Sequence, residues 1–67
     1  MSVAKITEIT SQSPKGFEDA IRQGLARASK TIHNIQSAWV KEQEVLLDPK
    51  GQISNYRVHL KITFVLD

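Results

Sequence analysis

The sequence predicts an α+β fold in the order β-α-β-β, with one helix packed on a three-stranded antiparallel sheet. Three observations carry this. Residues 55–64, near the C-terminus, alternate strictly between polar and apolar side chains. The apolar period changes from two to nearly four after residue 16. An Asp-Pro-Lys-Gly turn signal at residues 48–51 separates two long β-type runs.

The C-terminal run, residues 55–66, organises the rest. Tyr56, Val58, Leu60, Ile62, Phe64 and Leu66 are apolar, and Asn55, Arg57, His59, Lys61 and Thr63 between them are polar. Successive strand side chains point to opposite faces, so this pattern gives one dry face and one wet face. Its β-branched and aromatic content agrees with a pleated, half-buried strand. Such a strand needs a cover for its dry face and at least one partner for its backbone. Its polar face is where function is expected.

The remaining elements supply both. Residues 3–9 are short and β-leaning, and read as a first strand that residues 11–16 interrupt. Ser13 before Pro14 is a helix-start signal, because the hydroxyl can accept from an orphan backbone N–H and proline suits the first helical position. Phe17, Ala20, Ile21, Leu25, Ala28 and Ile32 then recur at helical spacing, with Gly24 and Ala28 permitting close approach. Glu18 and Asp19 near the start and Arg27 and Lys30 near the end suit the helix dipole. Glu18 and Arg22 form an i,i+4 pair. The predicted helix spans residues 14–31 and stops near His33 and Asn34. Residues 36–47 form the second strand, with Ala38, Val40 and Leu46 on one face and Trp39, Lys41 and Gln43 on the other. In the turn at 48–51, proline suits the first central position and glycine the last.

Sixty-seven residues make one domain, 1–67, with a thin core. Chains this short usually add disulfides, a metal or oligomerisation. There are no cysteines, and His33 and His59 are not in a zinc-ligand spacing, so oligomerisation is expected and no metal site is. The net charge of +2 comes from basic residues scattered among acids, with no aromatic-plus-basic platform, which argues against a nucleic-acid partner. No apolar run reaches membrane length and no basic-then-hydrophobic amino terminus suggests export, so the expectation is a cytoplasmic protein without membrane contact.

No catalytic constellation stands out, and the expectation is a non-enzyme. Glu42 and Glu44 share a strand face about 7 Å apart, yet pairs of this kind are most often solvated. His59 has no nucleophile near it in the pattern and reads as an exposed strand or interface residue. Trp39, the only tryptophan, lies on the face away from the helix. It is either buried against another subunit or offers a stacking surface to a flat ligand.

Ser13 and Pro14, the run 17–21 (Phe-Glu-Asp-Ala-Ile), the run 27–32 (Arg-Ala-Ser-Lys-Thr-Ile), Asn34 with Ile35, and, in the last strand, the runs 55–58 (Asn-Tyr-Arg-Val) and 61–64 (Lys-Ile-Thr-Phe) together resemble the dodecins over essentially the whole chain. The resemblance implies a hollow homododecamer built from trimers that binds flavin, FMN or riboflavin, at two-fold interfaces; some bacterial members also hold coenzyme A. Carried over by position, the family's stacking tryptophan falls on Ser37, its ring-bonding glutamine on Arg57, and its ribityl-holding acid on Glu42. Ser37 cannot stack, and Arg57 donates but does not accept. Trp39 lies two residues beyond the expected aromatic, on the same strand face. The implied binding residues are therefore Ser37, Trp39, Glu42 and Arg57. The implied function is flavin sequestration, with a shell holding coenzyme A, a cation or no ligand as the alternative.

Overall fold

The computed structural model describes residues 2–66. It contains strand β1 (Ala4–Ser13), helix α1 (Phe17–Ala28), strand β2 (Ile35–Leu47) and strand β3 (Ile53–Val65). All pairing is antiparallel and the sheet order is β1-β3-β2, so the alternating C-terminal strand is the central one. The expected fold and element order are both found.

The dry face of β3 is the core. Val58, Leu60 and Ile62 are fully buried, with Ala20 and Ala28 of the helix closing over them. Phe64 packs at the margin and stays partly exposed, while Tyr56 meets Phe17 edge to face at 5.1 Å. The helix approaches along its small residues, Ala20, Gly24 and Ala28, one turn apart and all buried. It lies chiefly over β1 and β3, and a Cβ at Gly24 would come within 2.9 Å of Ser11 Cβ.

Three local readings change. β1 continues to Ser13 rather than ending at Ile9, because the backbone of residues 10–13 pairs with residues 56–59 of β3. Ser13 is consequently a buried strand end and not the helix cap. Its hydroxyl donates to Asp19 Oδ2 at 2.5 Å and accepts from the Lys15 amide at 3.0 Å. Gly16 takes the N-cap position at φ 152°, ψ 174°, a conformation open to glycine alone. At the other end the helix stops at Ala28; the amides of Lys30 and Thr31 turn back to carbonyls three residues earlier, and Asn34 follows at φ 62°.

The third change is in β2, whose register against β3 shifts between Ile35 and Ser37, Val40 and Glu42, and Leu46 and Leu47. A bulge places two residues of one strand opposite one of its partner and so resets the alternation. Beyond Lys41, Glu42 and Glu44 therefore lie opposite His59 and Arg57 on the wet face. Gln43 lies opposite Val58 and Leu46 opposite Asn55, the reverse of their expected faces. The turn at 48–51 forms as expected: the Gly51 amide bonds the Asp48 carbonyl at 2.9 Å, and Asp48 Oδ1 accepts from the amides of Lys50 and Gln52.

The subunit is long and flat, 52 × 19 × 14 Å. Its radius of gyration of 13.8 Å exceeds the roughly 11 Å of a compact domain of this length. Its 4955 Å² of accessible surface exceeds the roughly 4,200 Å² of a folded monomer of this mass. Val40, Val45, Leu47 and Ile53 on the β2–β3 hairpin are among the exposed apolar residues. Among the described residues, no helix is long and apolar enough to cross a membrane.

Leu60→Ala should lower stability by about 2–5 kcal/mol, as for a filled core position, read from denaturant midpoints. Gly24→Ala sets two effects against each other. Alanine gains about 1 kcal/mol of helix propensity, but the new methyl meets a Cβ fixed to the β1 backbone. Net destabilisation is expected, and a rise in midpoint would show that the helix can lift from the sheet at little cost.

Candidate functional site

Reading across the sheet, the wet face is a set of rows, each with one residue from β1, β3 and β2. They are Ile6–Thr63–Ser37, Glu8–Lys61–Trp39, Thr10–His59–Glu42 and Gln12–Arg57–Glu44. All four residues implied by the resemblance therefore share one face, and the bulge at Lys41 is what brings Glu42 onto it.

Within that face the residues fall into two groups. Glu42 and Arg57 meet in a shallow depression of about 340 Å³ whose lining also includes Thr10, Gln43, Glu44 and His59. Ser37 and Trp39 lie outside it, towards the other end of the strand, where Trp39 is 61% exposed. The Lys61 ammonium sits 5.2 Å from the centre of the indole, a cation–π arrangement.

Arg57 is held inside the subunit. Its Nε and one terminal nitrogen donate to Gln12 Oε1 at 3.2 and 3.0 Å, and the other terminal nitrogen donates to Glu44 Oε1 at 3.1 Å. One guanidinium thus ties all three strands together. A planar fork of five donors suits such a bridge, whereas a lysine would supply one point charge.

His59 is similarly engaged. Its Nε2 lies 2.7 Å from Glu8 Oε1, and its Nδ1 lies 3.9 Å from Glu42 Oε1. Lys41, on the bulge, reaches across β3 to donate to the same Glu8 oxygen at 3.2 Å. The hydrogen bond from His59, followed by that from Lys41, holds the Glu8 carboxyl below its ordinary value of 4.5. Ionised Glu8 can only accept, so the proton of the His59 contact is on Nε2.

The partners Glu8 and Gln12, and the placement of Lys61 over Trp39, do not follow from the alternation of β3 alone. They require the register of β1, and with it the recognition that β1 continues past Ile9. Among the described residues, no group of three or more His, Asp or Glu gathers as metal ligands within the subunit.

A carboxyl whose folded pKa is lowered stabilises the fold above its ordinary titration range, and that stabilisation fades as the pH falls through 4.5 and below. Stability should therefore drop on the acid side, and Glu8→Gln should flatten this part of the profile while lowering stability at pH 7. Denaturant midpoints between pH 7 and pH 3 test this. An acid limb identical in the variant would remove Glu8 from the account.

Residues 3–67 match the profile of the Dodecin family. A dodecin from Streptomyces davaonensis superimposes with a TM-score of 0.93 at 39% identity, covering 98% of this chain and 96% of that one. A variant of the Thermus thermophilus dodecin gives 0.91 at 34% identity, covering 100% and 98%. The calcium dodecin of Mycobacterium tuberculosis is 36% identical over 64 residues, spanning 96% of this chain and 89% of the relative. The match runs through every element of the fold, including the three strands that carry the site, and the chain belongs to the dodecin family.

Proposed function

We propose that the chain is the subunit of a cytoplasmic homododecamer, built from trimers, that binds and sequesters flavin as FMN or riboflavin. Dodecins are small ligand-binding proteins and not enzymes. The observation that carries the flavin reading is the indole of Trp39, 61% exposed on the wet face and one row from Ser37. An exposed aromatic at that place supports ring stacking, which operates at centroid separations of about 4.5–7 Å. Glu42 serves as the acceptor for ribityl hydroxyls. Arg57 sets the floor of the site by holding Gln12 and Glu44, and Ser37 leaves room beside the indole.

The assembled state is supported by the subunit's own shape. A thin sheet with excess surface and a row of exposed apolar residues gains stability by burying them against copies of itself.

A second reading rests on a separate observation: one relative is a calcium dodecin. On that reading the shell holds a cation or coenzyme A in place of flavin. A cation would take carboxylates such as Glu42 and Glu44 from more than one subunit, since the described residues of one subunit do not gather enough of them.

Titration of the purified protein with riboflavin, FMN, coenzyme A and calcium separates the two readings. Flavin binding should quench flavin fluorescence, and Trp39→Ala should abolish that quenching. Ser37→Trp should tighten flavin binding by placing an aromatic where the family carries one. Sedimentation should show a species of about twelve subunits at micromolar concentration. A folded monomer there would overturn the assembly. Calcium or coenzyme A binding without any flavin response would replace the first reading with the second.

A further inference from the structure

From the charge ledger of the wet face we infer that Lys61 is the specificity-determining residue at the Trp39 surface, and that it selects a flat aromatic ligand bearing a phosphate over its uncharged counterpart. This rests on the stacking role proposed above and adds to it the residue that reads the ligand's charge.

The cations of this face are Lys41, Arg57, Lys61 and, when protonated, His59. Arg57 is neutralised by Glu44 at 3.1 Å. Lys41 and His59 both spend themselves on Glu8, at 3.2 and 2.7 Å. Lys61 is paired with no carboxylate among the described residues; its ammonium lies over the Trp39 ring at 5.2 Å. Glu8 stands directly opposite Lys61 in the β1–β3 register, but its Oε1 is already occupied from two sides. The spare positive charge of the face therefore lies beside its exposed aromatic. Arg57, the residue that the resemblance places against the ligand ring, is already neutralised.

The chemistry follows from the geometry. The Lys61 ammonium rests over one face of the indole. A ring stacking on that face must displace it, and the flexible four-carbon stem lets the ammonium swing aside. A neutral ligand displaces the cation and gives nothing back. A phosphorylated ligand offers the displaced ammonium a new charged partner on its side chain, within the roughly 8–10 Å over which charges still act at moderate salt. Lys61 thus penalises the uncharged ring and rewards the anionic one. This contrast separates a selector from a residue that merely supports the sheet.

The test uses the intact assembly, with FMN and riboflavin as probes and flavin quenching as readout, at low and at physiological salt. Wild type should bind FMN about five- to tenfold more tightly than riboflavin at low salt, the scale of one unscreened surface charge, with the ratio shrinking as salt rises. Lys61→Gln should weaken FMN and leave riboflavin unchanged or tighter, so that the ratio collapses. Lys61→Arg should preserve the preference, and Arg57→Gln should not alter the ratio. If Lys61→Gln weakens both flavins equally, or leaves the ratio intact, or if Arg57→Gln erases it, the inference is overturned while flavin binding stands. If wild type binds neither flavin, the proposed function fails and the inference falls with it.

Discussion

The fold depends on how closely the helix can approach the sheet. Gly24 sits over Ser11 with no space for a side chain, flanked one turn away on each side by Ala20 and Ala28. Close packing at that ridge holds α1 over β1 and β3, which seals Val58, Leu60 and Ile62 from water. The same placement leaves β2 largely without a cover. One close contact thus defines both what the subunit buries by itself and what it leaves for others.

That division of labour suits the assembly proposed above. The core seals only the middle of the central strand; Tyr56 and Phe64 at its ends remain partly exposed. The wet face, in contrast, is highly ordered by polar contacts that span the sheet. Arg57 links all three strands, and Glu8 gathers Lys41 from β2 and His59 from β3. Exposed ion pairs of this kind contribute little stability singly. Their larger effect is to fix side-chain positions, so that the face presents a defined pattern of charge around the exposed indole of Trp39.

The sequence makes much of this legible. The alternation of residues 55–66 identifies the central strand and its two faces, and the small and apolar residues of the helix give its buried side. The turn at 48–51 is also correct in detail. What it conceals has identifiable causes. Ser11, Gln12, Ser13 and Pro14 have turn chemistry, yet the backbone of residues 11–13 is held extended by pairing with residues 56–58, more than forty positions away. The bulge at Lys41 leaves no mark in the composition of β2, so the faces of Gln43 and Leu46 read in reverse. Of the four implied binding residues, placement on a common face follows only once that bulge is known. The engagement of Arg57 depends on partners 13 and 45 residues distant, which no local pattern encodes.

The irregular register of β2 has a further consequence, for solubility. This strand is thirteen residues long, forms one edge of the sheet and carries exposed Val40, Val45 and Leu47. A straight edge of that kind is a template for open-ended stacking, and dry zippers form from uninterrupted segments of about six or seven residues. The three register shifts divide β2 so that its longest regular stretch is 42–46. The extra residues at Gln36 and Lys41 also bend and twist the strand. A flat incoming strand would lose its match before a zipper length was reached, so the edge can meet a shaped partner without inviting an endless one.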